Sequence, residues 1–187
     1  MNKTNQRKEI ANLLDKMSHE EKQRGSDAIC EQLMEIASLV IANTIFAYLP
    51  LQNEVNLNPL IHQWIDESRT VGVPLCSWED HTMRAGLITS LQSRDLIETR
   101  HGLKEPLHKH PISADFIEIM LVPGMGFDRS GARLGRGGGF YDRYLKTARP
   151  PIVVGVAFDE QILDEVHCDA HDQFMTAIVT PTRTLLN

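Results

Sequence analysis

The chain has 187 residues, 42% hydrophobic and 24% charged, with a formal net charge of −6. A chain of that length and mix buries a core without disulfide or metal staples, and its composition excludes a disordered protein. The acidic balance gives no footprint for non-specific nucleic-acid binding, which needs a basic face, although a local basic patch stays compatible with it.

Residues 4–40 read as helix. Ile10, Leu13, Leu14 and Met17 follow i, i+3, i+4, i+7 spacing, and Ser18 with Glu21 forms a capping box that opens a second helix. The apolar run Thr44–Leu49, stopped by Pro50, predicts a buried strand, and Asn58 to Glu67 a further helix. Val71–Cys76 predicts a second strand, with Pro74 placing it near an edge or an end, and Met83–Thr89 a third. Ser90 to Pro111, rich in proline, histidine and charge, reads as loops. Asp115–Val122 predicts a strand, Phe140–Thr147 a helix, Ile152–Phe158 a strongly buried strand and Ala177–Thr180 a short last one. Strands alternating with helices imply an α/β fold with a largely parallel sheet. With no repeat, low-complexity tract or linker, residues 1–187 are expected to form one domain.

Cys30, Cys76 and Cys168 are scattered and include no C-x-x-C pair, which fits a reducing compartment. No apolar run approaches a membrane span. The polar N-terminus, with acidic Glu9 and Asp15 close behind, resembles neither a signal peptide nor a mitochondrial presequence. A cytoplasmic protein with no membrane partner is expected.

The densest chemistry lies between the strand ending near Val122 and the helix starting at Phe140. Gly135, Gly137, Gly138 and Gly139 fall within five residues, and Arg129, Arg133 and Arg136 are interleaved around them. Glycine lets successive backbone N–H groups converge on one anion, the following helix adds the positive end of its dipole, and arginine supplies charge-assisted bonds to phosphate. Neither G-x-x-x-x-G-K-[ST] nor a clean G-x-G-x-x-G after the first strand is present, so the segment is neither a Walker loop nor a dinucleotide fingerprint. A plain surface turn or an RGG-like RNA-binding tract is the competing reading; the single occurrence between core elements of an acidic chain favours an anion site.

Leu121–Asp128 followed by Arg133-Leu134-Gly135-Arg136-Gly137-Gly138-Gly139-Phe140-Tyr141-Asp142-Arg143-Tyr144-Leu145 closely resembles the signature of the 5-formyltetrahydrofolate cyclo-ligase (methenyltetrahydrofolate synthetase) family. Lys3 and Arg7, Leu49–Val55, Gly102–Pro106 and His171-Asp172 resemble further family segments, so the likeness covers nearly the whole chain. Two positions depart from it: Gln6 stands where a leucine usually precedes the N-terminal arginine, and Gly138 where some members carry a lysine.

The resemblance implies a three-layer α/β/α domain and the ATP-dependent conversion of 5-formyltetrahydrofolate to 5,10-methenyltetrahydrofolate. It implies ATP and Mg²⁺ as cofactors and a monomer or weak homo-oligomer without a nucleic-acid partner. By the same resemblance Lys3, Arg7 and the whole run Arg133–Tyr141, including Leu134 and Phe140, are expected to bind ATP. Leu49, Glu54 and Tyr141 are expected to bind the folate, Arg136 and Tyr141 to act in catalysis, and Asp142 and Asp172 to hold the metal. Each has a plainer role open to it: a solvated helix face for Lys3 and Arg7, a helix-dipole charge for Asp142, a loop glutamate for Glu54. His167-Cys168-x-x-His171 has no second ligand pair at suitable spacing, so no zinc site is assigned. Trp64 and Trp78 are expected in the core, with Trp78 an alternative flank for the pterin.

Overall fold

The N-terminal helical segment divides into three: α1 (Lys3–Lys16), α2 (His19–Glu35) and the short α3 (Ala37–Ile41). The computed structural model describes residues 2–169 and 172–186. The break after α1 lies where the sequence places it. Ser18 adopts extended backbone, its Oγ accepts from the Glu21 N–H at 3.2 Å, and its own N–H donates to Glu21 Oε2 at 2.8 Å. Then follow β1 (Thr44–Phe46), α4 (Asn58–Asp66), β2 (Thr70–Ser77), β3 (Thr82–Ile88), β4 (Leu96–Glu98), β5 (Lys104–Pro106) and β6 (Pro111–Ile112). The chain continues through β7 (Ile119–Pro123), β8 (Gly126–Asp128), β9 (Arg133–Leu134), α5 (Phe140–Ala148), β10 (Ile152–Val156), β11 (Ile162–Leu163), β12 (Ala177–Val179) and β13 (Thr184–Leu186).

Eight strands form the main sheet in the order β13-β12-β10-β7-β1-β2-β3-β6. The five from β12 to β2 run parallel; β13 pairs antiparallel at one side, and at the other β3 pairs antiparallel with β2 and β6 antiparallel with β3, so that β6 runs in the direction of the five. The central strands are apolar on both faces. Ile45, Ile119, Leu121, Val154 and Val179 point into a core shared with α1 to α4. Phe46, Met120, Val122 and Ile178 point into a second core closed by Tyr144 and Leu145 of α5. Helices therefore cover both faces, as a parallel sheet requires, and the three-layer α/β/α arrangement is the one expected. Trp64 of α4 is fully buried in the first core, as its sequence context suggests.

Several local expectations are corrected. The strand expected over 44–49 ends its pairing at Phe46, and residues 115–118 precede β7 rather than belonging to it. Ser90–Pro111 is not all loop: β4 and β5 make an antiparallel hairpin, and β6 joins the main sheet. Pro74 is not on an edge strand, since β2 lies between β1 and β3. The Ala47 N–H donates to the Gly72 carbonyl and the Cys76 N–H to Glu105 Oε1, so Pro74, midway between, turns its missing donor toward the side that β1 has vacated. The small sheet β11-β8-β9 and the strand β13 carry no pattern that announced them.

Candidate active site

From β1 the chain passes through α4 to β2 on one side and later returns to β7 on the other, so the strand order reverses at the β1/β7 boundary. Crevices at such points, outside the carboxyl ends of parallel strands, are the usual ligand sites of open α/β sheets. A cavity of about 420 Å³ opens there, walled by Tyr48 and Leu49 after β1, Pro74 and Cys76 of β2, and Pro123 and Gly124 at the end of β7. A second, more open depression on α4, lined by His62 and Asp66 among others, includes none of the residues expected to act.

The glycine-rich loop closes one side of the cavity. It leaves β9 and enters α5, and Gly137 and Gly139 take left-handed backbone (φ 104° and 68°). Gly139 is the N-cap of α5, and no side chain caps the helix start. The helix thus presents backbone donors beside a cavity lined by Gly138, Gly139, Phe140, Tyr141 and Asp142. Gly138 has its own local reason: a Cβ there would come within 2.8 Å of Phe140 Cδ2, so a lysine at this place would require Phe140 to move. Leu134 does not face the cavity. Its side chain packs in a small cluster with Ala132 and Val166, and its carbonyl accepts from the Met125 N–H at 2.7 Å, because β8 and β9 pair there.

Arginines tie the loop down. Arg133 is 4% exposed through its side chain; its Nη2 meets Asp142 Oδ1 at 2.9 Å, and its guanidinium lies 5.3 Å from the Tyr141 ring centre. Arg136 reaches across the cavity, its Nε donating to Glu54 Oε1 at 3.0 Å, while Glu54 Oε2 accepts the Leu51 N–H at 2.9 Å. Arg7 Nε donates to the Gly135 carbonyl at 2.7 Å, which brings α1 against the loop. Burial, then the nearby Glu54 carboxylate, pushes the Tyr141 phenol well above its ordinary pKa, so it stays protonated and can donate. Burial, reinforced by Glu105, likewise pushes the Cys76 thiol up to about 11.

Lys3 and Asp172 stand apart from the cavity wall. Lys3 Nζ contacts Asp172 Oδ2 at 2.6 Å and Asp169 Oδ2 at 2.7 Å. Burial works against both charged forms, but their hydrogen bonds outweigh it, raising the Lys3 pKa and lowering that of Asp172. The pair therefore stabilises the fold at neutral pH. Its contribution is lost as pH falls through the folded pKa of Asp172, and in strong base as pH rises through that of Lys3. Gln6, in the place of a leucine, is buried and uses Nε2 to hold the Glu165 carbonyl at 2.6 Å. Of the His167-Cys168-x-x-His171 cluster, His171 lies outside the described residues and Cys168 is exposed. No group of three or more His, Cys, Asp or Glu is placed to hold a metal among the described residues.

Trp78, expected in the core with a flank of the pterin as its alternative, is half-buried in the cavity wall, and sequence reasoning missed two other features of the cavity. Trp78 packs between His101, tilted against it, and Phe140, edge to face, each ring centre 5.0 Å away, so an aromatic wall runs from the 100–102 turn to α5. Arg100, His101 and Leu103 form part of the rim. Glu105, 1% exposed, accepts the Cys76 N–H at 2.9 Å and meets Lys109 Nζ at 2.7 Å, fixing the end of β2 where its ladder with β1 has stopped. Gly102 was the local sequence signal for a shaped turn at this rim, where His101 and Gly102 both take left-handed backbone.

The architecture is that of an α/β enzyme with its cavity at the topological switch of a parallel sheet. Residues 1–181 match the model of the 5-formyltetrahydrofolate cyclo-ligase family, and the chain belongs to that family. It is 33% identical over 156 residues to the 5-formyltetrahydrofolate cyclo-ligase of Mycolicibacterium smegmatis, covering 79% of this chain and 78% of that protein. To the Escherichia coli K12 enzyme of the same name it is 27% identical over 177 residues, covering 89% and 93%. The solution structure of Aquifex aeolicus 5,10-methenyltetrahydrofolate synthetase superposes with a TM-score of 0.86 at 27% identity, covering 100% of this chain and 93% of that one. A Mycoplasma pneumoniae synthetase, at 22% identity and a TM-score of 0.78 over 97% and 99%, shares the fold. No helix among the described residues is long and apolar enough to cross a membrane.

Proposed function

We propose that this chain converts 5-formyltetrahydrofolate and ATP to 5,10-methenyltetrahydrofolate, ADP and phosphate. The observation that carries this reading is the Arg136–Glu54 contact at 3.0 Å, which puts a phosphate-loop cation against a carboxylate suited to a pterin's N–H edge, in one cavity. A formamide is a poor electrophile with a poor leaving group. Transfer of the γ-phosphoryl group to the formyl oxygen, with ADP leaving, corrects both faults. N10 then attacks the formyl carbon and gives up its proton to solvent, the C–O bond breaks, and phosphate departs with the oxygen. The protein's share is positioning and charge stabilisation. Backbone donors at Gly138–Tyr141, with Arg136 and the Arg7-braced loop, receive the phosphates. Leu49 and Glu54 hold the folate, and the protonated Tyr141 phenol donates toward the reacting formyl region.

The hard carboxylate oxygens of Asp142, on the cavity wall at the start of α5, fit Mg²⁺, which takes one or two carboxylates alongside phosphate oxygens. Asp172 lies apart from that wall on Lys3, and to serve as a second ligand it would have to exchange Lys3 for the metal and approach the cavity. A bound Mg²⁺ would neutralise charge on the ATP phosphates. Asp142→Asn is expected to raise the Mg²⁺ concentration for half-maximal activity by about 10-fold or more, the scale of losing a metal-site hydrogen-bond partner. Unchanged Mg²⁺ dependence would leave Asp142 as the partner of Arg133 alone.

Isotope transfer tests the reaction. With heavy oxygen in the formyl group and ordinary water, the label is expected in inorganic phosphate at about one atom per turnover, since one oxygen is activated per phosphoryl transfer. Label released into water, with recovered substrate still fully labelled, would refute phosphorylation of the formyl oxygen.

A further inference from the structure

Arg143 stands in the first turn of α5, where a cation opposes the helix dipole. It lies outside the cavity lining, yet it bonds two segments that each contribute a wall residue, Gly138 from the glycine loop and Trp78 from the turn after β2. Its Nη2 donates to the Gly138 carbonyl in the glycine loop. Its Nε donates at 2.7 Å to the carbonyl of His81, in the turn joining β2 to β3 and 62 residues away in sequence. His81 takes left-handed backbone (φ 53°), and Gly139 does so too (φ 68°), with the Arg143 guanidinium lying close over the place of an absent Cβ (2.8 Å to Nη1). Phe140 fills the space between the two segments, with the Arg143 guanidinium 5.9 Å, the His81 ring 5.8 Å and the Trp78 ring 5.0 Å from its ring centre.

Trp78 opens the same four-residue turn that His81 closes, so a displacement of Gly138 or Phe140 is passed to the indole. We propose that Arg143 is a positioning residue that couples the glycine loop to the Trp78 wall, so that nucleotide seated on the loop sets the shape of the folate side of the cavity. A guanidinium is needed because its planar fork bonds two carbonyls in fixed directions, whereas an ammonium is a single point charge. The inference rests on the proposed function only in taking the glycine loop as the ATP site.

The test needs no folate turnover. The chain has 2 tryptophans, and Trp64 is fully buried in the core, so tryptophan emission during titration with Mg²⁺ and ATP reports on Trp78, with Trp78→Phe as the control that must abolish the change. ATP affinity is measured separately by calorimetry. Arg143→Ala is expected to keep ATP affinity within about 5-fold, a loss too small for a direct guanidinium–phosphate contact, while losing most of the emission change. Arg143→Lys should recover less than about half of that change, because one ammonium replaces a two-carbonyl fork.

A full emission change in Arg143→Ala, or no Trp78 response in the wild type despite ATP binding, would overturn the coupling. A loss of affinity beyond about 10-fold in Arg143→Ala would instead make Arg143 a phosphate ligand, and the positioning role would be wrong. Wild-type protein that binds ATP with the Trp78 response but fails to form methenyltetrahydrofolate would sink the proposed reaction and leave the coupling standing. Wild-type protein that binds no ATP would remove both.

Discussion

Gly137→Val is expected to abolish measurable turnover and to weaken ATP binding by roughly 100-fold or more, the equivalent of one or two lost charge-assisted hydrogen bonds at about 1.5–3 kcal/mol each. The cause is backbone conformation rather than crowding. Gly137 has φ 104°, which a β-branched residue resists, while the nearest atom to an added Cβ is Arg7 Cζ at 3.8 Å. A Cβ meets only ordinary contact there, so the variant should remain folded while its loop relaxes out of the shape that aims N–H groups at phosphate. Gly131→Ala is the informative partner. Gly131 also has positive φ (86°), in the turn between β8 and β9 and outside the glycine loop. Both variants carry backbone strain of about 1–2 kcal/mol, but only the change at Gly137 should reduce ATP affinity. Calorimetry giving equal ATP affinity for the two proteins would refute the backbone cradle.

Arg133→Met is expected to reduce both stability and turnover. Its guanidinium is nearly enclosed and supplies the cation for Asp142, whose side chain is 22% exposed. Removing one partner of a buried pair costs about 3–5 kcal/mol, and the partial solvation of Asp142 brings the expected loss to about 2–3 kcal/mol. For a chain of this size that lowers the melting temperature by roughly 5–10 °C. The double variant Arg133→Met with Asp142→Asn should regain most of that stability, since no unpaired charge remains, yet it should stay inactive. Thermal melts and the absorbance of methenyltetrahydrofolate separate the two effects. A double variant as unstable as the single one would mean that Arg133 stabilises the fold through its packing on Tyr141 and not through the ion pair.

The Arg143 and Asp142 experiments extend the same logic to contacts with different visibility in the sequence. Asp142 sits nine residues after Arg133 and beside the glycines, so its place at the helix start is readable from the motif. Glu54 and Arg136 are 82 residues apart, and only the family resemblance placed them in one site, Glu54 on the folate and Arg136 on ATP. Trp78, His101 and Phe140 form one wall in the fold, but each belongs to a different local segment, and no short pattern joins them. Pro74 shows the limit of a local rule. A proline argues for an edge when the strand is read alone; in the sheet its missing N–H merely has to face the side where β1 has already ended.

What the sequence by itself determined is what depends on near neighbours along the chain. The capping box at Ser18 and Glu21, the apolar strands expected over 115–122 and 152–158 (119–123 and 152–156 in the fold), and the strand–glycine–helix order of the anion site all follow from side-chain period, backbone freedom and the helix dipole. The tertiary structure alone decided which strands are neighbours, that the order reverses between β1 and β7, and that Glu54, Trp78 and Arg136 meet in the resulting crevice. Those choices turn on the packing of whole layers and the closure of long loops. Every parallel strand here has the same two-sided apolar pattern, so that pattern cannot say which one lies beside which.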